Sequence, residues 1–382
     1  MPKKGVKKER ISRKPLDFIL LVTVLLLLSL GIIMLLSASA PSALSNYGDS
    51  YCFVKKQGIF AIAGLALMFF FSKIDYRKYK RFYKLAYILS NILLAAVILP
   101  GIGSGAKGAT RWLNIGIRFQ PSELAKIGLI IFYAGYFSEH KNKMGTFKEG
   151  FVKPILYLIP PVLILFFFQD HLSAAIIIVM VTSIMMLMAG CRLRYFLTVG
   201  VSLGTVGAAG MYYLAKKTEK GSFRIARITS FIDPWKDATG SGYHAIQGLY
   251  AIGSGGLFGV GLGNSKQKYQ YIPEPQNDFI FAVLAEELGF VGCLIVIALF
   301  GIFIWRGFII SMKAPDSFGS LIAVGITSLI GVQVIMNIAV VTSSMPVTGV
   351  SLPFFSYGGT SLVILLCCVG ILLNISRAGA RV

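Results

Sequence analysis

Long apolar runs constrain the fold of this chain more than any other feature of its sequence. The first run, residues 18–36, reads FILLVTVLLLLSLGIIMLL and contains no charged residue. About 20 apolar residues in a helix cross the roughly 30 Å hydrocarbon core of a bilayer, so this run is long enough to span a membrane. Nine further runs lie near residues 57–72, 85–101, 122–138, 154–168, 172–190, 195–214, 279–305, 319–341 and 359–375. The sequence therefore predicts an all-α integral membrane protein, a polytopic bundle of about ten transmembrane helices.

The charged residues indicate how the chain lies in the membrane. Only 14% of the 382 residues are charged, yet Lys and Arg outnumber Asp and Glu by 37 to 16, a formal net charge of +21. Seven basic residues precede the first run, six lie in residues 73–84 and four in residues 139–153. Because basic residues in short loops favour the cytoplasmic side, we expect both termini in the cytoplasm. The positive charge then faces anionic lipid headgroups, and nucleic acid is not needed as a partner to explain it.

The apolar runs also divide the chain into parts. The first run is longer than the about 7–15 residues of a signal-peptide core, so we expect an uncleaved first helix. The predicted parts are a basic tail at residues 1–16, a single transmembrane domain at 17–376 and a second tail at 377–382. A large outer loop, about residues 215–277, separates the seventh and eighth spans. The five cysteines have no ligand-like spacing, which argues against a zinc site or a disulfide framework.

Ionisable side chains near membrane depth are costly, so each outward-facing cluster of them is a candidate for function. The first cluster lies in residues 101–126, between the third and fourth spans, where glycines predict a turn-rich loop. Lys107 and Arg111 can meet a phosphate there, and an arginine can do so with two hydrogen bonds. Trp112 is an amphipathic ring that suits the membrane interface. An interfacial loop without a chemical role is the alternative interpretation.

The end of the same cluster predicts the start of a helix. Pro121 and Ser122 favour the first helical positions, and Glu123 falls in the first turn. Glu123 and Lys126 are three residues apart, so they share a helix face and can form an ion pair. A capped helix without a catalytic role is again the alternative.

Two further polar segments interrupt the apolar pattern. Residues 169–173, Gln-Asp-His-Leu-Ser, lie between two short runs, where an ordinary loop also explains them. The long outer segment carries Arg224 and Arg227 and continues into the glycine-rich stretch GSGGLFGVGLG at residues 253–263. No GK[ST] follows this stretch and no strand precedes it, so neither a P-loop nor a Rossmann motif fits. Its glycines indicate irregular backbone, which a bilayer tolerates only where protein or water shields it.

Asp278 stands out among the acidic residues because it lies where the long outer segment enters the eighth span. Partial removal from water is expected to raise the pKa of its carboxyl group and make it a usable base. Glu286 follows eight residues later, roughly 12 Å deeper along a helix and on a similar face. The alternative is that Asp278 caps the N-terminus of the eighth helix, and the residues alone do not decide between the two.

The last cluster lies between the ninth and tenth spans, where residues 344–360 read SMPVTGVSLPFFSYGGT. Prolines and paired glycines break the helix here, which predicts a packed re-entrant loop that is also compatible with a cavity lining. Gln333 and Asn337 precede this loop, four residues apart in the ninth span, and therefore share a helix face. We expect both amides to point into the bundle.

Three of these segments together resemble one protein family. Residues 111–126 read RWLNIGIRFQPSELAK, residues 251–292 read AIGSGGLFGVGLGNSKQKYQYIPEPQNDFIFAVLAEELGFVG, and residues 345–362 read MPVTGVSLPFFSYGGTSL. In this order, and over nearly the whole chain, they closely resemble the SEDS family of bacterial cell-wall proteins, namely FtsW, RodA and SpoVE. The ten-span pattern is similar to the architecture of that family. Residues 261–281 are more similar to the FtsW and SpoVE branch than to RodA.

The resemblance implies a peptidoglycan glycosyltransferase that polymerises lipid II into β-1,4 glycan strands at the outer face of the bacterial cytoplasmic membrane. By the same resemblance, Asp278 matches the essential acidic residue of the family and acts as the general base. The family often has Thr-Asp at this place, where this chain has Asn277 and Asp278, so the acid is retained. The QPDLG-like loop of the family appears here as residues 169–173 without its proline, so no acidic role is transferred to that loop.

The resemblance and the clusters together give the remaining site residues. Pyrophosphate is a good leaving group that needs no second carboxylate as an acid, but its charge needs cations, with a divalent Mg or Mn ion as a possible cofactor. The residues expected to contact the substrate are Lys107, Arg111, Trp112, Gln120, Ser122, Glu123, Lys126, Arg224, Arg227 and Glu286. No metal ligand is assigned.

Two other functions compete with polymerisation. A lipid II flippase also has many spans, broken helices and intramembrane polar groups, although the polar clusters of this chain concentrate at the outer face. A non-catalytic scaffold for division or sporulation is the third possibility. The resemblance implies lipid II, membrane lipids and a class B penicillin-binding protein as partners, the last because this chain contains no cross-linking domain. It does not separate division, elongation and sporulation.

Overall fold

The computed structural model describes residues 16–99, 103–106, 109–115, 117–197, 231–240, 242–269 and 271–379. These residues form a helical bundle with one small sheet, which confirms the all-α fold class. The helices are α1 (Phe18–Tyr47), α2 (Cys52–Lys73), α3 (Arg77–Lys80), α4 (Tyr83–Ala96), α5 (Pro121–Glu139), α6 (Lys153–Leu163), α7 (Leu172–Met188), α8 (Tyr243–Gly255), α9 (Ile280–Met312), α10 (Ser317–Val341) and α11 (Gly359–Ala378). Turns of π-helix, Lys148–Val152 and Ile164–Phe168, extend α6 at both ends.

Six helical segments of the described chain are long and apolar enough to cross a membrane. They are α1, α2, the segment Lys148–Phe168, α9, α10 and α11, while α4 and α7 are shorter apolar helices. The predicted fourth span is present as α5, but it is not among the six. Most of the predicted seventh span, residues 195–214, lies outside the described residues. Several membrane crossings are therefore supported, and the count of ten stays a prediction.

Helix α1 is longer than its apolar run predicts. It continues through Pro41 to Tyr47 and ends at Gly48, which adopts φ +70° and donates its N–H to the carbonyl of Leu44. The sequence places the end of the span near residue 36 because polar residues begin there, but Ser37 and Ser39 are buried against other helices. The helix therefore extends beyond the apolar run, and the end of the span near residue 36 stays a prediction.

The segment between α4 and α5 is a three-stranded antiparallel sheet rather than a turn-rich loop. Its strands are β1 (Gly103–Ala106), β2 (Ala109–Ile115) and β3 (Ile117–Phe119), in the order β1-β2-β3. Leu113 in the central strand pairs with residues of both neighbours and is 1% exposed. The sequence gives little sign of these strands, because β1 reads GSGA and β2 reads ATRWLNI, without the regular alternation of apolar and polar residues that usually indicates a strand.

Helix α10 lies at the centre of the bundle. It packs against α5, α7, α9 and α11, and nearly all of its residues are buried. A helix that is buried on every side is expected to be apolar all round, and α10 is so except for its amides and small hydroxyls. Gln333 and Asn337 are 7% and 1% exposed. The expectation that both point into the bundle is confirmed.

Helix α9 is broken at Gly289, where φ is +65° and ψ is −166°. In an unbroken helix, the N–H groups of residues 290 and 291 would bind the carbonyls of Glu286 and Glu287. Here the glycine-rich segment 256–261 replaces those partners. The N–H groups of residues 260 and 261 bind these two carbonyls at 3.0 and 3.1 Å, and the carbonyls of residues 256 and 257 accept from residues 290 and 291 at 2.9 and 3.1 Å.

Glycine is required on both sides of this contact. A Cβ atom on Gly259 would lie 2.1 Å from the Glu287 carbonyl oxygen, and one on Gly289 would lie 2.3 Å from the Gly259 nitrogen. Both residues also adopt positive φ, which a residue with a side chain rarely tolerates. The backbone is therefore irregular from residue 256 onward, as predicted, while residues 253–255 still belong to α8. Residues 256, 257, 260 and 261 pair with α9, although most side chains of the stretch are exposed, so its shielding by protein or water stays a prediction.

A buried ion pair fixes the chain that follows this segment. Lys268 Nζ lies 2.9 Å from Glu287 Oε1, and the two side chains are 4% and 0% exposed. The Ser37 hydroxyl donates to the same carboxylate oxygen at 2.6 Å, which adds α1 to the cluster. Glu286 beside it accepts from the Ser265 hydroxyl at 2.5 Å and from the N–H groups of residues 266 and 267 at 2.9 and 3.3 Å. Two adjacent carboxylates thus attach residues 265–268 to α9.

We expect Lys268→Met to destabilise the protein strongly, because it leaves the Glu287 charge buried and uncompensated. Breaking a buried pair from one side costs about 3–5 kcal/mol, whereas removing both charges costs much less. The double variant Lys268→Met, Glu287→Gln is therefore expected to recover most of the lost stability. Thermal unfolding of the detergent-solubilised protein measures both effects.

Lys266→Met is the matched control, because Lys266 is exposed and lies in the same segment. It is expected to leave the melting temperature nearly unchanged. Equal losses from Lys266→Met and Lys268→Met would show that the ion pair contributes no specific stability.

Candidate active site

Asp278 lies in the turn that enters α9. The helix begins at Ile280, its N-cap residue is Phe279, and no side chain caps this N-terminus. Asp278 is half-buried, and no described residue donates a hydrogen bond to its carboxylate. The capping interpretation is therefore not supported, and the carboxylate oxygens are free to meet a reacting group.

The backbone around Asp278 is held by other segments. The carbonyls of residues 276, 277 and 278 each accept a hydrogen bond from outside their own turn. The Tyr357 N–H donates to the first at 2.9 Å, the Ser356 hydroxyl to the second at 2.7 Å and the Asn337 side-chain amide to the third at 2.8 Å. The position of Asp278 is therefore set by three successive backbone contacts and not by bonds to its side chain.

The loop that supplies two of these donors is itself anchored. Gln57 in α2 is 1% exposed, and its amide donates to the Ser356 carbonyl and accepts from the Gly358 N–H, both at 3.3 Å. The Ser356 hydroxyl also accepts from the Leu352 N–H at 2.7 Å. Sequence reasoning missed Gln57, although an amide inside an apolar run is a signal of a buried polar contact.

The surroundings of the Asp278 carboxylate explain its acid–base character. Burial and the Glu274 carboxylate raise the pKa of Asp278 and the positive charge of Arg111 lowers it, with a net pKa of about 6. The 344–358 loop approaches closely at Gly349, where an added Cβ atom would lie 3.1 Å from Asp278 Oδ2. The predicted rise in the pKa of Asp278 is therefore confirmed.

Arg111 is placed by the polar segment 169–173. From β2, its Nε donates to the Gln169 carbonyl at 3.3 Å and its Nη2 to the Asp170 carbonyl at 2.6 Å. Burial lowers the pKa of Arg111, and the charges of Asp170 and Asp278 raise it. The sheet and the polar segment together hold the guanidinium within electrostatic reach of Asp278, so residues 169–173 are more than a connection between spans.

His171 in the same segment lies near two cations. Its ring is buried, and burial, together with the charges of Arg111 and Lys126, lowers the pKa of His171 to about 3. Its Nδ1 atom has no hydrogen-bond partner in the described chain. Ser173 bonds to the carbonyl of Thr348, so the polar segment also contacts the 344–358 loop. Sequence reasoning did not include His171 among the site residues.

The start of α5 has the predicted form. The helix begins at Pro121 after Gln120 and has Glu123 in its first turn. Lys126 Nζ lies 2.8 Å from Glu123 Oε1, and the lysine is 3% exposed. Ser122 is fully buried, and its hydroxyl has no partner among the residues that the structure describes. The predicted helix start and ion pair are both confirmed.

The other residues predicted to contact the substrate are buried in a structural network, half-buried in a strand, or outside the described residues. Glu286 is 2% exposed and belongs to the network that holds residues 265–267. Trp112 lies half-buried in β2. Lys107, Arg224 and Arg227 lie outside the described residues.

An apolar cavity of about 590 Å³ lies beside the start of α5. Its lining comes from four elements, α2, β3, α5 and α11. The lining residues are Phe60, Ala63, Phe119, Leu124, Thr360, Val363 and Ile364. Phe119 and Leu124 are sequence neighbours of Gln120 and Glu123, but the lining does not include the predicted substrate contacts on α5.

The described residues near Asp278 do not fit a resident metal ion. Within the described ranges, no group of three or more His, Cys, Asp or Glu side chains can hold a metal. Among these residues, Glu274 is the other carboxylate whose charge acts on Asp278, and Arg111 is the cation that does so. Mg²⁺ and Mn²⁺ prefer several oxygen ligands, so this donor set is too small for either.

The chain has clear relatives in both sequence and structure. It matches the FtsW, RodA and SpoVE family, described as a cell cycle protein, over residues 18–380. It is 44% identical to the stage V sporulation protein E of Bacillus subtilis over 94% of this chain and 97% of that protein. It is 38% identical to a protein of Geobacter sulfurreducens that carries the name peptidoglycan glycosyltransferase FtsW, over 97% of each chain.

Solved structures give the same result. A chain from a study of polymerisation and crosslinking by a peptidoglycan synthase complex is 27% identical with a TM-score of 0.80, over 96% of this chain and 99% of that chain. The rod shape determining protein RodA of Thermus thermophilus is 26% identical with a TM-score of 0.69, over 96% and 98% of the two chains. The protein is therefore a multi-pass bacterial membrane protein that belongs to the family of FtsW, RodA and SpoVE.

Proposed function

We propose that the protein is a peptidoglycan glycosyltransferase that polymerises lipid II into β-1,4 glycan strands, with Asp278 as the general base. One observation carries the assignment of the base: the Asp278 carboxylate is half-buried and free of hydrogen bonds in the described chain, on a backbone that three donors hold. With a pKa of about 6, the group is ionised at neutral pH and still basic enough to take a proton. The relatives named as peptidoglycan glycosyltransferases support the same activity.

The reaction needs one proton acceptor and one leaving group. Asp278 takes the proton of the 4-hydroxyl on the acceptor GlcNAc as its oxygen attacks C1 of the donor MurNAc. The bond between C1 and the phosphate oxygen breaks, and the electron pair leaves with undecaprenyl pyrophosphate. The anomeric centre is inverted to a β-1,4 link, and Asp278 then releases its proton to water. Atoms and charge balance without a second acidic side chain.

The departing pyrophosphate gains negative charge, so cations near it lower the barrier. Arg111 and Lys126 are the described cations of the site, and Lys107, Arg224 and Arg227 complete the proposed set. Arg111 is held in place by the carbonyls of Gln169 and Asp170. A guanidinium can also bind phosphate oxygens with two parallel hydrogen bonds, which a lysine cannot do. No chemical step is assigned to a divalent cation.

The lipid parts of the substrate need an apolar path. The cavity of about 590 Å³ beside α5 is apolar and lies next to Gln120, Ser122 and Glu123. We assign the undecaprenyl chain of one lipid II molecule to it, with Trp112 at the headgroup level. An apolar chain in this cavity would bring its pyrophosphate to the polar residues at the start of α5.

The proposal includes an orientation and a partner. Both termini lie in the cytoplasm, so the Asp278 end of the bundle faces outward, where lipid II is polymerised. A class B penicillin-binding protein supplies the transpeptidase that links the strands. The similarity to a chain of a peptidoglycan synthase complex supports such a partner.

Asp278→Asn is expected to abolish strand formation, because the amide keeps the shape of the side chain and cannot accept the proton. The assay uses the purified protein with its transpeptidase partner in detergent and fluorescent lipid II, with the products separated on a gel. The variant is expected to fold, since no described residue donates a hydrogen bond to the carboxylate. Its melting temperature at pH 8 is expected to rise, because a carboxyl group whose folded pKa is raised costs stability once it ionises.

Glu274→Gln is the matched control, since it makes the same chemical change at an exposed neighbour. It is expected to keep the glycan ladder. A ladder from Asp278→Asn would remove the base assignment. No ladder from the wild-type complex would contradict polymerisation and leave the flippase, which a proteoliposome translocation assay tests, or the scaffold.

The pH dependence of kcat/KM is expected to follow the ionisation of Asp278. Activity falls as pH drops below about 6, because the protonated carboxyl group cannot act as a base. Glu274→Gln is expected to shift this acidic limb to lower pH, since the Glu274 charge raises the pKa of Asp278. An unchanged acidic limb in Glu274→Gln would show that another group controls it.

A further inference from the structure

Asn337 connects Asp278 to the loop that faces it. The side-chain nitrogen donates to two carbonyls, that of Asp278 at 2.8 Å and that of Val350 at 2.7 Å. Asn337 is 1% exposed and belongs to the central helix α10, which packs on four other helices. One amide group therefore ties the turn of Asp278 and the 344–358 loop to the most buried element of the bundle.

Gly349 determines how much space remains beside the carboxylate. Its φ is +67°, and an added Cβ atom would lie 3.1 Å from Asp278 Oδ2. The next residue, Val350, is the one whose carbonyl Asn337 holds. The same amide thus fixes Asp278 and the neighbour of Gly349 relative to each other.

We propose that Asn337 and Gly349 are positioning residues for the Asp278 base. Asn337 fixes the distance between the Asp278 turn and the loop, and Gly349 leaves the room beside Oδ2 that an acceptor hydroxyl needs. The proposal rests on the polymerase function proposed above. It adds two residues to that function that neither touch the substrate nor transfer a proton.

The physical reason is that no described residue binds the carboxylate itself. The backbone alone sets the position of the carboxylate, so a displacement of the backbone also displaces the reacting oxygen. A displacement of about 1 Å at a catalytic group can cost roughly 100-fold in rate. Neither α10 nor the 344–358 loop contains Asp, Glu, Lys, Arg or His, so a change there alters Asp278 through its position and exposure and not through added charge.

Asn337→Leu is expected to lower kcat for glycan polymerisation roughly 10- to 100-fold with KM within about twofold. Leucine has a similar size and cannot donate to either carbonyl. The acidic limb of the pH profile is expected to move as well, because the exposure of Asp278 and its distances to Arg111 and Glu274 set its pKa. A loss of folded protein alone would lower the amount of active enzyme without moving that limb.

Gln333→Leu is the matched control for this variant. Gln333 lies four residues earlier on the same face of α10, is 7% exposed and holds neither the Asp278 turn nor the 344–358 loop in the described structure. It makes the same amide-to-apolar change and is expected to keep the wild-type pH profile and kcat. A shift as large as that of Asn337→Leu would contradict the proposal.

Gly349→Ala is expected to lower kcat by a comparable factor, because the added methyl group lies against Asp278 Oδ2. Gly48→Ala controls for backbone strain, since Gly48 has φ +70° and nothing within 4 Å of an added Cβ atom. The two variants share the strain and differ in the carboxylate neighbour. If Asn337→Leu does not fold, comparing these two variants still tests the spacing role of Gly349.

The results distinguish failure of the proposed polymerase function from failure of the positioning role. Absence of a glycan ladder from the wild type contradicts the polymerase function itself, and activity of Asp278→Asn contradicts its base. With both of those intact, wild-type kcat and an unshifted acidic limb in folded Asn337→Leu would overturn the positioning role. Equal activity of Gly349→Ala and Gly48→Ala would overturn the spacing role.

Discussion

Hydrogen bonding of the backbone without water is the constraint on which this structure depends. In a bilayer, a chain that leaves the helical conformation must find partners for its N–H and C=O groups within the protein. At the break in α9, residues 256–261 supply them, and at the turn before α9 the donors are Asn337, Ser356 and Tyr357. Both irregular regions are fully dependent on segments that are distant in sequence.

The Asp278 carboxylate is the exception, because its backbone neighbours are hydrogen-bonded and, among the described residues, the side chain is not. Its backbone is held firmly while its side chain accepts no hydrogen bond from the described chain. Buried polar groups are normally paired because an unpaired one costs stability. An unpaired carboxylate on a fixed backbone suits the proposed role of Asp278, because a general base must be free to receive a proton from its substrate.

Much of this arrangement is readable from the sequence. The apolar runs predict the helices, and the position of Asp278 at the entrance of a span makes it a candidate base, with a helix cap as the alternative. The pairing of Glu123 with Lys126 follows from helical spacing alone. The inward direction of Asn337 follows from its place in an apolar run.

The rest depends on tertiary contacts that spacing does not encode. Ser37, just after the apolar run of α1, is buried and bonds to Glu287 of α9, so the helix continues where the apolar run stops. The strand β2, ATRWLNI, lacks the alternation of apolar and polar residues that would indicate a strand. The closeness of Gly349 to Asp278 arises from the path of a loop about 70 residues later in the chain. Residues so far apart in the sequence come into contact only through the packing of the helices.

The donors that hold the Asp278 turn have a consequence for biosynthesis. A chain is made from its N-terminus, and domains acquire contacts as their segments emerge. The donor to the Asp278 carbonyl, Asn337, lies 59 residues later in the chain, and the donor to the Asn277 carbonyl, Ser356, lies 79 residues later. Gln57, made long before, then closes on the same loop. A chain translated only as far as Asp278 therefore lacks the donors that hold this turn, and the turn acquires all of them only after residue 357 has been made.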